Sequence, residues 1–214
     1  MERTEADEVL YLQLLLDKDP VTRFLAFSAV FEREMIRLLE NENAVPSTEF
    51  ADTVIQTLKD EELMKSCGSM PLLMFESVSD SRFAHEYGKL YSAKQRILRG
   101  IAEKYEDTLR ALYVKYDVSY QAEGFEPAVL SAQFKANAVK NLILTILASL
   151  DTPDVHCLIR TQYRNANSAT NRLSALSLYL SSSASDRMDI LLEELARSAE
   201  HPLAFENFIA ASAN

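Results

Sequence analysis

Only one short stretch of the chain approaches the residue types and spacing of a hydrolytic metal site: His85-Glu86-Tyr87-Gly88-Lys89. A zinc-hydrolase helix needs two histidines four residues apart, so that both imidazoles face one metal, with the glutamate as general base. Lys89 stands where the second histidine belongs, and a protonated ammonium has no lone pair to give a metal. The stretch therefore reads as an ordinary, partly exposed helical histidine. His156 and Cys157 are neighbours on a helix and point in different directions. A Cys–His nucleophile pair needs its two groups to converge, so His156 is expected at the surface or its boundary and Cys157 in the core. His201, ahead of Pro202, reads as a turn residue. The acid pairs Glu61-Glu62 and Glu193-Glu194 do not face each other across a cleft, as glycoside hydrolysis requires, and are expected on solvated faces. With 4 glycines in the whole chain, no phosphate-cradling or nucleophile-elbow motif can be built. No catalytic, cofactor-binding or metal-binding residue is assigned.

Six tyrosines, Tyr87, Tyr91, Tyr105, Tyr113, Tyr116 and Tyr120, gather in one region. An aromatic binding strip is one reading; packing between helices with hydroxyls at the rim is the one preferred. Lys94, Arg96, Arg99 and Lys104 are interleaved with them, and Glu103, Glu106 and Asp107 offset their charge.

The elements that carry these residues are helical. Apolar positions recur at helical spacing almost throughout, and period-two alternation is absent over any useful length. A first helix is expected over about 5–17 with Val9, Leu12 and Leu16 inward. Asp19-Pro20, a cap followed by proline at the first helical position, opens the next, with Phe24, Phe27, Phe31, Met35 and Leu38 as its stripe. Ser47 caps a helix carrying Phe50, Val54, Ile55 and Leu58. Short turns fill 60–79. Asp80 opens a long segment with Phe83, Tyr87, Leu90 and Ile97, which Ile101, Tyr105, Leu109, Leu112 and Tyr116 continue past a kink or break at Gly100. A loop containing Gly124 spans 117–126. A helix from Pro127 to Leu150 carries Phe134, Val139, Leu142, Ile146 and Leu150. Asp151-Thr152-Pro153 repeats the cap-then-proline opening, Ser168 caps a helix with Leu173, Leu176 and Leu180, and Asp186 opens one with Ile190, Leu191 and Leu195. A last helix starts at Pro202.

The expected fold is all-α: irregular helix–turn–helix pairs of about 30–45 residues, stacked as an α-solenoid-like (HEAT- or armadillo-like) array. One domain over 1–214 is expected, with a sub-boundary near 60–80. Phe205, Phe208 and Ile209 form an apolar face near the end, where a helical array normally finishes with a polar cap, so the chain is expected to be incomplete at its C-terminus or docked to something.

Composition agrees with this reading. The 214 residues are 48% apolar, which suffices for a core, and 6 prolines with 4 glycines leave little for the turns of an all-β fold. The net charge of −10, from 32 acids against 22 bases, disfavours nucleic acid as a partner. The apolar run 142–150 is about half of what a bilayer needs, so no membrane span is expected. Met1 to Glu8 is charged and carries no apolar signal region. With Cys67 and Cys157 far apart and read as free thiols, a cytoplasmic protein is expected.

One pattern goes beyond generic helix. Ala136-Asn137-Ala138-Val139-Lys140-Asn141-Leu142, followed by Thr161-Gln162-Tyr163-Arg164-Asn165-Ala166-Asn167-Ser168-Ala169-Thr170-Asn171-Arg172-Leu173-Ser174-Ala175-Leu176, resembles the C-terminal helical domain of the M1 zinc aminopeptidases of the bacterial and protozoan aminopeptidase N type. Ala166, Asn167, Thr170 and Arg172 fill positions of that family's turn, and Leu14 to Ala29, with Asp19 and Arg23, resembles the segment that opens the domain. Departures are plain: Pro202 to Ala211 keeps Phe208 but lacks the family's Trp and Gln, and the catalytic domain with its H-E-x-x-H is missing. The resemblance implies a non-catalytic accessory domain that caps a catalytic domain and limits access to the N-terminal residues of short peptides. Zinc then belongs to the catalytic domain, and that domain is the partner. The alternative expectation is a standalone helical-repeat module that binds another protein.

Overall fold

The computed structural model describes residues 6–119 and 126–213. Among them are ten α-helices, one 3-10 turn and no strand: α1 Asp7–Leu16, α2 Pro20–Glu40, α3 Thr48–Lys59, α4 Glu61–Cys67, the turn Met70–Leu72, α5 Tyr87–Lys115, α6 Pro127–Ala148, α7 Pro153–Asn165, α8 Ala169–Leu180, α9 Arg187–Ser198 and α10 Pro202–Ser212. The all-α reading holds. No helix of the described residues is long and apolar enough to cross a membrane. The expected loop residue Gly124 and Tyr120 lie outside the described residues.

The chain divides within α6 into two compact units, Met1–Leu142 and Ile143–Asn214; residues 60–80 lie inside the first. In the first unit, α2 packs against α1, the 3-10 turn and α5, while α3 packs against α1, α4 and α5. Asp19 caps α2 by accepting from the amides of Val21 and Thr22, with Pro20 in the first turn. Ser47 accepts from the Phe50 amide to cap α3. These caps satisfy amide donors that have no partner within the helix. The core centre is aromatic: Phe27 stacks on Phe31 at 5.9 Å and meets Phe50 at 5.7 Å. Met35, Leu38, Val54, Ile55, Leu58, Leu90, Ile97 and Ile101 are buried as well.

Several expected faces come out differently. In α1 the buried residues are Leu10 and Leu14, while Val9, Leu12 and Leu16 are exposed. The helix is apolar on nearly every side, so spacing alone could not choose its inner face. α5 starts at Tyr87, not at Asp80; residues 81–85 form turns, Asp80 holds Arg82, and Tyr87 is exposed. Gly100 is neither kink nor break. A Cβ there would sit 2.9 Å from Pro46 Cβ, so the glycine lets a loop cross close to α5. The irregular backbone is at Tyr105 (φ −128°, ψ 26°), whose hydroxyl donates to Asp52 at 2.6 Å.

In the second unit α7 and α8 form one helix–turn–helix pair and α9 and α10 another, with α8 packed on α7, α9 and α10. Ser168 caps α8 by accepting from the Asn171 amide at 3.2 Å. Asp151 and Asp186 do not cap. Asp151 has a left-handed backbone (φ 51°), and its carboxylate accepts from the Ser183 amide at 2.9 Å and meets His156 Nε2 at 2.6 Å. The Asp186 carboxylate accepts instead from Tyr179 and Arg160. In α6, Val139 and Ile146 are buried, as is Leu150 just past its end, whereas Phe134 is exposed. α9 buries Ile190, as expected, together with Glu194 and Ser198; Leu191 is half-buried and Leu195, expected inward, is exposed.

Candidate functional site

The stretch that came nearest to a metal site does not form one. His85 is exposed in a turn ahead of α5, and Lys89 pairs with Glu86 at 3.3 Å, so the glutamate that would serve as base is engaged with the residue that replaces the second histidine. His156 is engaged by Asp151, and its ring meets Tyr179 edge-on at 6.3 Å. Cys157 is exposed rather than in the core, because the inward face of α7 is filled by Val155, Ile159, Gln162 and Tyr163. Cys67 is partly buried, and both cysteines are free thiols. His201 precedes α10 and is exposed, as a turn residue should be. Among the described residues no three His, Cys, Asp or Glu side chains form a set that could hold a metal.

Of the acid pairs, Glu61 binds Lys115 at 2.5 Å and Lys65 at 3.5 Å on a solvated face. Glu193 pairs with Arg197 at 3.0 Å. Glu194 is the residue the sequence reading misplaced. It is 2% exposed and accepts from the Tyr163 hydroxyl at 2.9 Å and from Arg172 Nε at 3.2 Å, with Arg197 Nε at 3.7 Å. Burial, and then the bond to Glu194, push the Tyr163 hydroxyl above the ordinary phenol range, so it stays protonated and donating. A carboxylate whose lone pairs are taken by a tyrosine and arginines is not free to take a proton from a substrate. It fixes α7, α8 and α9 to one another. Arg172, part of the family-like turn, needed a buried acid, and Glu194 lies four residues from Ile190 and from Ser198; those spacings were the available signal.

A second cluster lies in the same unit. Tyr179, fully buried, donates to Asp186 at 2.6 Å and accepts from Arg160 Nε at 3.1 Å. The Tyr179 bond holds the Asp186 carboxyl below the usual carboxylate range. In the first unit the residues carrying the family resemblance are likewise structural. Arg23 donates to the Asp17 carbonyl and to Asp60 at 2.9 Å, while Asp60 caps α4 through the Leu63 amide. Lys140 is buried, binds Asp117 at 2.6 Å and lies over the Tyr113 ring. Gln162, in the second unit, donates to the Asn171 carbonyl at 3.1 Å, which closes the turn between α7 and α8.

The tyrosine region splits. Tyr113 and Tyr116 are buried and Tyr105 is bonded to Asp52, as packing predicts, but Tyr87 and Tyr91 are exposed. The interleaved bases are all engaged: Lys94 with Glu76, Arg99 with Glu103, Lys104 with Asp52, and Arg96 with the Leu38 and Ala44 carbonyls. Their partners are largely not the acids nearest in sequence. Among the outward apolar side chains are Val9, Leu12 and Leu16 on α1, and Met188, Leu192 and Leu195 on α9 with Leu203, Phe205 and Ile209 on α10. Phe208 is buried, against the expectation that it would share the exposed end face.

Comparison with known proteins follows the same line. A solved structure of Legionella pneumophila aminopeptidase A in complex with aspartic acid matches 99% of this chain with a TM-score of 0.79 at 15% identity, and the match covers 25% of that chain. This chain thus spans about a quarter of the length of that aminopeptidase, and the likeness is one of fold. The expected likeness to a helical domain of an aminopeptidase holds at that level. No curated protein matches. A family model described as a domain of unknown function (DUF3458_C) with ARM repeats matches residues 7–214, and the chain belongs to that family.

Proposed function

We propose that this chain is the non-catalytic helical domain of an M1-type zinc aminopeptidase, where it caps the catalytic domain and limits access to the N-terminal residues of short peptides. The observation that carries the reading is that nearly the whole chain superposes on a quarter of an aminopeptidase. The outward apolar side chains on α1 and on α9 and α10 supply surface for the rest of such an enzyme. The clusters around Glu194 and Tyr179 are tied together within the second unit. The described side chains of this chain form no zinc set, so in this reading the metal and the bond-breaking groups sit on other polypeptide. Two free thiols fit a reducing, cytoplasmic setting.

The test is reconstitution. The 214-residue chain is assayed alone against aminoacyl amides with and without added Zn²⁺, then with the catalytic domain of an aminopeptidase from the same genome. The reading expects no turnover by the chain alone, a stable complex with the catalytic domain, and stronger discrimination against long peptides in that complex. Stoichiometric zinc uptake with peptide turnover by the chain alone overturns it. The ARM-repeat architecture favours one other reading, a standalone protein-interaction module. That reading predicts a stable complex with a protein that is not an aminopeptidase.

A further inference from the structure

Apart from the surface that the proposed function uses, the first unit contains a cavity of about 220 Å³ walled by α4, the end of α5 and α6. Its apolar lining is Met64, Tyr116, Val118, Ala132 and Ala136; its charged lining is Glu61, Lys65, Lys115 and Lys135. Met64, Tyr116 and Ala136 are buried, so the floor is a fixed part of the core. The charges at the mouth do not cancel. Glu61 is the one lining acid and serves both Lys115 and Lys65. Glu62 lies 3.9 Å from Lys65 and is almost fully exposed. Two acids that flank these elements are directed elsewhere, Asp60 to Arg23 and Asp117 to Lys140. Three ammonium groups thus line the cavity against one lining carboxylate, which pairs with two of them, in a chain whose net charge is −10. A basic mouth over an apolar floor is unusual for such an acidic protein and selects a ligand with the opposite arrangement.

From this juxtaposition we propose that the cavity between α4, α5 and α6 binds a monoanionic carboxylate carried on an apolar body of about one side chain. Its apolar part would fill the floor at Met64, Tyr116 and Ala132, and its carboxylate would meet Lys135 and Lys65 at the mouth. A free N-acylated apolar amino acid and the C-terminal residue of a peptide share this chemistry. The proposal does not depend on the aminopeptidase reading.

The full 214-residue chain, ¹⁵N-labelled, is titrated with N-acetyl-leucine, with N-acetyl-leucinamide, and with a six-residue peptide ending in leucine. The proposal expects saturable shifts at Met64, Tyr116, Ala132 and Ala136 with the acid, at a millimolar dissociation constant, and at least tenfold weaker binding of the amide. Tighter binding of the peptide than of the free acid assigns the source as a peptide end; equal or weaker binding assigns a small carboxylate. Lys135→Glu is expected to weaken the acid about tenfold or more, and Lys135→Gln by less. Ala132→Leu, which fills the floor, is expected to abolish binding while the circular dichroism of the chain is retained. Equal shifts from acid and amide, shifts confined to other residues, no saturable shift, or an unaltered affinity in folded Lys135→Glu overturns the proposal.

Discussion

The two units use one type of architecture, the packed helix pair, but fill it with opposite chemistry. At the centre of the first are phenylalanines, Phe27, Phe31 and Phe50, touching ring to ring. At the centre of the second are two fully buried tyrosines, Tyr163 and Tyr179, each with its hydroxyl on a carboxylate. An aromatic hydrocarbon core is stabilised by area and close packing, is indifferent to pH, and tolerates a neighbour of similar volume. A tyrosine–carboxylate–arginine core demands fixed partners, because an unmatched buried group costs more than a matched one contributes. At its centre the first unit is thus specified by shape and the second by pairing.

Substitutions that break each core test this contrast, taken from the strongest to the weakest. Phe27→Ala removes a ring in contact with two others and is expected to destabilise the first unit by about 3–5 kcal/mol. Hydrogen exchange should quicken in α2 and α3 with little change in α8 and α9. Glu194→Ala strands the Tyr163 hydroxyl and removes the Arg172 pairing. Because both arginines keep some access to water, about 2–3 kcal/mol is expected, below the full loss of a buried pair. The sharper test is Glu194→Leu, which keeps volume. If it stays as stable as the natural chain by urea denaturation, the second unit is held by packing after all and the contrast fails. Ser168→Ala removes the cap of α8, with about 1 kcal/mol expected and faster exchange confined to the first turn of that helix.

Acidification gives the smallest and most selective effect. The Tyr179 hydroxyl lowers the Asp186 carboxyl below its ordinary value of 3.8, so folding favours the ionised form. That stability is complete above the ordinary aspartate range and is lost as pH falls through the lowered folded value. A carboxyl-carbon NMR titration should place Asp186 below an unstructured aspartate. Asp186→Asn should flatten the acid limb for probes on α7 and α8 while those on α2 and α3 keep theirs. A normal titration of Asp186 would show that the Tyr179 bond is not held in solution.

How much of this could be read from the chain depends on the same division. Wherever an apolar residue could face only one way, as with Phe27, Phe31, Met35 and Leu38 on α2, periodicity found the core. The caps at Asp19, Ser47 and Ser168 were legible because a short polar side chain before a helical run has a local use. Asp151 and Asp186 have the same local pattern but are drawn away by partners 32 residues distant in one case and 26 in the other, Ser183 and Arg160. Spacing cannot report such partners. The faces of α1, and of α9 at Leu195 and Glu194, came out differently for a related reason. α1 offers apolar residues on all sides, and α9 turns a glutamate inward because Tyr163 and Arg172 wait for it. The Lys135 cavity was invisible in the sequence, since its walls come from three elements far apart along the chain.

Gly68 has a backbone of φ 64° and lies with its Cα side against the main chain of Lys135, where a methyl group would come within 3.3 Å of Lys135 Cα and its carbonyl oxygen. The spacing between the end of α4 and α6 is therefore set by an atom that is not there. Since Met64 and Lys65 stand on one wall and Ala132, Lys135 and Ala136 on the other, that single hydrogen works as the gauge of the recess. A side chain at position 68 would meet both a strained backbone and a contact with Lys135 that α6 must yield to, so the recess could be altered without a lining residue being touched.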